Sequence, residues 1–348
     1  MSMTLEDVRN KAKEKMKGHC GVYKLCDGAY NKLCQNQGYG GSIGIGGVGS
    51  GASFHNNVKA LEKIHLKMKL VSPHFKPDTT TTIFGQSVSM PIMGASVSGV
   101  NSFGGDKVIT ERDFCRVTVL GCKEANTFSF RGDTYTYDVD CTPCLDAIKE
   151  AGGLGVKISK PRAQDILFKF IELTEEVGAL AFGVDIDGCG SVTMAKYNKP
   201  VFRKSVEDLR ELVLATKLPF VVKGVMCVED ALEAVEAGAK AVVVSNHGGR
   251  VLDHTPGTAE VLPDIASEIK GKVTLFVDGG VRNGYDVLKM LALGADAVLV
   301  GRDIVRAAVG GGIEGVKLHM QFLQNTLAKA MLMTDCPTLN DITSDILC

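Results

Sequence analysis

The chain has 348 residues, 45% hydrophobic and 23% charged, with a formal net charge of −1. These proportions describe a globular chain able to bury a sizeable core, and α/β barrels commonly fill this length as one domain. Near-neutral charge without long Lys/Arg runs, 6% aromatic residues and no Trp argue against nucleic-acid and anionic-membrane partners. No apolar run reaches membrane-spanning length. The first twenty residues are charged and amphipathic, without an apolar signal core. The expected location is therefore the cytoplasm, with the 11 cysteines reduced.

Residues 4–17 predict a helix with Thr4 as its N-cap. The next segment holds Cys20, Cys26 and Cys34, spaced C-x5-C-x7-C. A metal or iron–sulfur centre here would need a fourth ligand, for which His19 is nearest, and the usual C-x2-C spacing is missing. No metal is expected. Residues 44–49 fit G-x-G-x-x-G, but no strong strand precedes them and no βαβ unit surrounds them. A loop near a barrel mouth is the better reading. Residues 56–69 have helical periodicity, and 70–90 look extended, with a β-prone run at Thr79–Thr82. Residues 1–90 are expected as an extension packed on the remainder.

From residue 91 a rhythm begins. Short apolar runs recur at 91–95, 126–130, 153–158, 179–186, 219–224, 241–246, 273–280 and 297–301. Continuous runs of Val, Ile, Leu and Phe mark parallel strands buried on both faces. Helical stretches lie between them, including 164–179, 228–239 and 284–295, the last two ending in Ala-Gly-Ala and Leu-Gly-Ala. Periodicity alone also allows a doubly wound open sheet. The count of eight favours an α/β fold of the (β/α)8 TIM-barrel type over 91–348, closed by a C-terminal helix. Cys141 and Cys144 form a C-x2-C at a helix start, outside any thioredoxin-like unit, and read as structural.

In a barrel, chemistry sits where the strands end. The fourth run ends in Asp185 and Asp187, and the fifth in Lys223-Gly224. The sixth ends in Ser245-Asn246-His247-Gly248-Gly249-Arg250. The seventh ends in Asp278-Gly279-Gly280, followed by Arg282, and the eighth in Gly301-Arg302. Charged groups are rarely buried without a partner or a task, so five converging strand ends point to a site. Gly279, Gly280, Gly301 and Arg302 suit a phosphate, which barrels often bind after strands seven and eight. His247 can act as a base near neutral pH, and Arg250 can grip a carboxylate through two parallel hydrogen bonds.

Residues 219–302 strongly resemble the FMN-dependent α-hydroxy-acid oxidase/dehydrogenase family, which includes glycolate oxidase, lactate oxidase and flavocytochrome b2. Residues 331–342 look like the family's closing helix, and 47–64 and 78–95 match more weakly. The resemblance implies FMN as cofactor and a small 2-hydroxy acid as substrate, oxidised to the 2-oxo acid. It implies that His247 takes the hydroxyl proton while a hydride reaches flavin N5. Asp187 would pair with His247, Arg250 would hold the carboxylate, and Lys223 would stabilise the reduced ring. Asp278, Gly279, Gly280, Arg282, Gly301 and Arg302 would hold the ribityl chain and phosphate. Ala95, Ser129, Lys157, Asp185 and Ser245 would complete the flavin's surroundings. It also implies a homo-oligomer, a tetramer or larger.

The chain departs from the family in places. Ile43 or Gly44 and Ser159 stand where the family has substrate-touching tyrosines, Lys157 where it has Gln, and Asp185 where it has Thr. GCGSVTM (188–194) replaces its LGNR-type segment. Two other readings therefore stay open. One is a flavoenzyme with non-redox chemistry, like type 2 isopentenyl-diphosphate isomerase. The other is a flavin-binding sensor without turnover. Arg250 suits a hydroxy acid better than a diphosphate.

Overall fold

Eight of the short apolar runs become eight parallel strands in the computed structural model, which describes residues 3–16 and 47–348. They are β3 (Ile92–Gly94), β4 (Phe130–Arg131), β5 (Val156–Ser159), β6 (Ala181–Asp185), β7 (Phe220–Val225), β8 (Ala241–Val244), β9 (Thr274–Val277) and β10 (Ala297–Val300). Their order is β3-β10-β9-β8-β7-β6-β5-β4, and a parallel bridge between Gly94 and Ser129 joins the two ends. The sheet is therefore a closed barrel, as expected, and not an open doubly wound sheet. Successive strand residues face opposite ways. Val221 and Val243 fill the barrel interior, while Val222, Val242 and Val244 pack against the outer helices. That double burial explains why the runs are continuous rather than alternating.

The hairpin β1 (Thr81–Ile83) and β2 (Gln86–Val88) covers the N-terminal end of the barrel. Ile83 and Val88 join the interior cluster, and Phe84 lies 5.8 Å from Phe276, ring centre to ring centre. The open C-terminal end is left for chemistry.

Helix α1 (Leu5–Met16) begins as predicted, with Thr4 and Asp7 exchanging capping hydrogen bonds. It buries Val8, Ala12 and Met16 against the last helix, where a Cβ on Gly310 would sit 1.9 Å from the Val8 carbonyl. Helix α2 (Ala52–Glu62) covers less than the predicted 56–69. His65 and Lys67 instead donate backbone hydrogen bonds to Cys348 and Ile346, so a partner distant in sequence overrides local helical preference.

The barrel helices are α3 (Glu111–Glu124), α4 (Pro143–Glu150), α5 (Gln164–Glu176), α6 (Val192–Lys196), α7 (Val206–Ala215), α8 (Val228–Glu236), α9 (Thr258–Ile269), α10 (Gly284–Ala292) and α11 (Arg302–Met333). The glycines after α5, α8 and α10 stand at positive φ, Gly178, Gly238 and Gly294, which ends each helix short of the predicted limit. Helix α11 stops at Met333, so 331–342 is not one continuous helix: after the α-helix ends, a short 3-10 helix follows at Leu339–Asp341. None of the described helices is long and apolar enough to cross a membrane. Cys115, Cys122, Cys141, Cys144, Cys189, Cys227, Cys336 and Cys348 are free thiols. His19, Cys20, Cys26, Cys34, Ile43 and Gly44 lie outside the described residues.

Candidate active site

The exits of β6 to β10 meet at one cleft. Lys223, near the end of β7, is buried, and its ammonium donates to Asp185 Oδ1 at 3.1 Å and Ser245 Oγ at 3.2 Å. Burial alone would lower its pKa, but the charges of Asp185, Asp278 and Asp187 outweigh burial and raise it. The next residue, Gly224, has φ of 98° and breaks the β7–β8 register. This bulge opens room for the Asp187 side chain, because a Cβ on Gly224 would lie 2.6 Å from Asp187 Cγ.

The loop after β8 is left-handed for three residues in a row: His247 (φ 57°), Gly248 (63°) and Gly249 (78°). A histidine held there is a strained backbone position of the kind that clusters at functional sites. Two contacts account for the glycines. A Cβ on Gly248 would meet Arg302 Nη1 at 2.8 Å, and one on Gly249 would meet the Phe54 backbone nitrogen at 2.4 Å. Helix α2 thus presses the loop inward. Residues 47–51 help: the Val48 N–H donates to the Gly249 carbonyl at 2.7 Å. The described end of the glycine-rich motif, residues 47–49, therefore lies at the barrel mouth.

His247 Nδ1 lies 2.8 Å from Asp187 Oδ1 and 3.4 Å from Asp185 Oδ2. Its Nε2 lies 3.3 Å from Lys160 Nζ, which also donates to Asp185 Oδ2 at 2.6 Å. An ammonium has no acceptor. Nε2 must therefore be the accepting nitrogen, and Nδ1–H donates to Asp187. Burial holds the His247 pKa well below the usual range; Asp185 opposes that, and Lys160, Lys223 and Arg250 reinforce it. Burial would raise the Asp185 pKa, but His247, Lys160 and Lys223 together hold it well below normal. Asp187 is pushed well above, by burial and then by the neighbouring Asp185. Ligand atoms of Asp185, Asp187 and His247 fall within 4.8 Å of one another, but the two lysine ammoniums already neutralise this trio.

The opposite side of the cleft is built for an anion. Arg302 opens α11, donates to the Gly248 carbonyl at 2.7 Å and stacks 4.4 Å from the centre of the Phe54 ring. Arg282 reaches Asp303 at 3.0 Å. Gly279 and Gly280 have φ of 104° and 81°, and a Cβ on Gly280 would strike the Asn57 carbonyl at 2.6 Å. Asp278 Oδ1 is buried with no hydrogen-bond partner.

Of the residues expected from sequence, Ala95, Lys223, His247, Arg250, Asp278, Gly279, Gly280, Arg282, Gly301 and Arg302 line this one cleft. Asp185, Asp187 and Ser245 lie behind it and bond to the lining groups. Ser129 and Lys157 do not line it. Phe130 and Ile158 occupy the barrel interior, so their neighbours in sequence face the helices. Ser129 Oγ donates to the Phe130 carbonyl, and the Lys157 ammonium pairs with Asp133 and lies 4.8 Å from the centre of the Phe170 ring.

Among the lining residues that sequence reasoning missed are Phe54, Tyr135 and Lys160. Lys160 directly follows Ser159, whose buried Oγ has no partner, and was legible only as a charge one step past a strand end. Tyr135 stacks on Tyr197 at 4.2 Å and is the one tyrosine among the described lining residues. The segment 188–194 forms a 3-10 turn and the start of α6, which bring Ser191, Thr193 and Met194 to the cleft.

Comparison with known proteins identifies the family of the chain. Residues 44–192 and 190–348 match the family described as FMN-dependent dehydrogenase. The peroxisomal (S)-2-hydroxyacid oxidase GLO3 of Arabidopsis thaliana is 30% identical over 86% of this chain and 88% of its own. The 2-hydroxyacid oxidase 1 of Homo sapiens is 32% identical over 82% and 86%. Among solved structures, a mandelate oxidase superposes with a TM-score of 0.80 at 25% identity, covering 100% of this chain and 98% of the other.

Proposed function

The chain belongs to the FMN-dependent dehydrogenase family, and from that premise we propose that it oxidises a small 2-hydroxy acid to the 2-oxo acid, with His247 as base and Arg250 as carboxylate anchor. One observation carries this reading. Asp187 occupies Nδ1 of His247, so the lone pair of Nε2 points into the cleft that Arg250 also lines. A base and a carboxylate-gripping guanidinium then act on neighbouring atoms of one small molecule.

The cleft fits FMN. The unpartnered Oδ1 of Asp278 can accept from ribityl hydroxyls, and the bare backbone at Gly279 and Gly280 allows close approach. Arg302, Arg282 and the first turn of α11 suit the phosphate, and Lys223 suits an anionic ring edge. When bound there, FMN supplies the two-electron acceptor. The protein's own part is to place the C2 hydroxyl on Nε2, receive its proton and hold the carboxylate on Arg250. Asp187 orients the ring and stabilises the imidazolium that forms. A cytoplasmic homo-oligomer is part of the same proposal, and sedimentation of the purified protein tests its assembly.

The test is an oxygen-free visible spectrum of the purified yellow protein before and after adding glycolate, L-lactate and (S)-mandelate. Bleaching by one of these acids supports the reading and narrows the substrate. A flavin that no 2-hydroxy acid bleaches overturns it.

A further inference from the structure

The Nε2 of His247 is where a substrate hydroxyl must sit, because a general base works within hydrogen-bond distance of the proton it removes. Lys160 Nζ already stands 3.3 Å from that atom, on the cleft wall. A hydroxyl bonded to Nε2 therefore arrives beside this ammonium.

Lys160 is held there by more than its stem. Its backbone N–H donates to Asp133 Oδ2 at 2.8 Å, and the other oxygen of Asp133 pairs with the buried Lys157. Its ammonium is anchored on Asp185. The other oxygen of Asp185 is bonded by Lys223, so the two ammoniums share this carboxylate. Lys160 thus brings a positioned donor, with hydrogens to spare, to the reacting atom.

We propose that Lys160 is a further catalytic residue: its ammonium passes from Nε2 to the substrate's C2 oxygen and stabilises the negative charge that develops as His247 takes the proton. In this step the O–H bond breaks, an N–H bond forms on Nε2, and the electron pair stays on oxygen facing Nζ. The inference rests on the 2-hydroxy-acid reading above. The charged groups facing His247 are Asp185, Asp187, Lys160 and Lys223 from three neighbouring strand exits, and Arg250 from its own loop. Losing Lys160 removes a cation that disfavours the imidazolium, so the base should titrate at higher pH.

The experiment compares wild type with Lys160→Met and Lys160→Arg as FMN-loaded proteins, using whichever of glycolate, L-lactate and (S)-mandelate bleaches wild type fastest. Anaerobic stopped flow should show bleaching at saturating acid about 100-fold slower in Lys160→Met, with part of the rate restored in Lys160→Arg. The acid limb of kcat/KM should move to higher pH in Lys160→Met. Lys160→Gln, which keeps a donor for Asp185, gives the same comparison if Met prevents folding. A loaded, folded Lys160→Met or Lys160→Gln within twofold of wild type at saturation, with an unmoved acid limb, overturns the proposal. A wild type that no acid bleaches overturns the underlying functional reading instead, and the proposal with it.

Discussion

Asp187 stands over Gly224: a Cβ on that glycine would lie 2.6 Å from the carboxyl carbon whose oxygen is 2.8 Å from His247 Nδ1. The orienting carboxylate of the site therefore depends on a missing side chain one strand away. Gly224→Ala should push Asp187 off the imidazole and cut kcat by roughly ten- to a hundredfold, since small misplacements near reacting atoms have large effects. Its φ of 98° adds a stability cost of about 1–3 kcal/mol. FMN content should stay near wild type. Stopped-flow bleaching together with urea unfolding checks both parts.

His247→Ala should retain FMN and lose about two to four decades of turnover. In wild type, burial favours the neutral imidazole, so the base should stay competent as pH falls through 6.5, its ordinary value. The acid limb of kcat/KM should therefore lie below pH 6.5. A rate unchanged by the substitution would remove His247 from the mechanism.

Arg250→Lys keeps the charge but loses the planar pair of donors. KM for the 2-hydroxy acid should rise about tenfold or more, with a smaller change in kcat. Steady-state kinetics at fixed pH separate the two. An unchanged KM would mean that no carboxylate is held there.

Arg302→Ala should weaken FMN binding by roughly ten- to a hundredfold, the usual worth of one charge-assisted hydrogen bond. It also removes the stack on Phe54 that braces the loop of His247. Recovery of free-flavin fluorescence on dilution measures the loss.

His319 offers a stability test away from the cleft. It is buried on α11, and burial pushes its pKa down to about 4, against the opposing charge of Asp303. Between pH 6.5 and about 4 the unfolded chain binds a proton here that the native state does not. Stability should therefore fall as pH drops through that window, and level off below it as far as this group is concerned. His319→Gln should lose less stability than wild type between pH 7 and pH 5. Urea midpoints at the two pH values decide it.

Much of the site was legible because a parallel barrel ties function to a recognisable place in sequence. Lys223, His247, Arg250, Asp278 and Arg302 each sit at the end of an apolar run, and the fold gathers those ends. Ser129 and Lys157 were misplaced because strand parity turns on a single residue. Whether Phe128 or Ser129 faces inward depends on strand tilt and closure, which no local pattern encodes. Lys160 was missed because one charge beyond a strand end looks the same whether it meets solvent or His247.

By itself the sequence determined the strand-and-helix rhythm, the barrel and the chemistry available at its rim, since these follow from side-chain type and local spacing. Only the tertiary structure decided which carboxylate holds His247, which tautomer it has and which cation stands at Nε2. Those depend on a bulge at Gly224, a left-handed turn braced by Phe54 and the link from Lys157 through Asp133 to the Lys160 backbone. Each joins residues far apart in the chain, and distances of a few tenths of an ångström there are set by packing, not by neighbours in sequence.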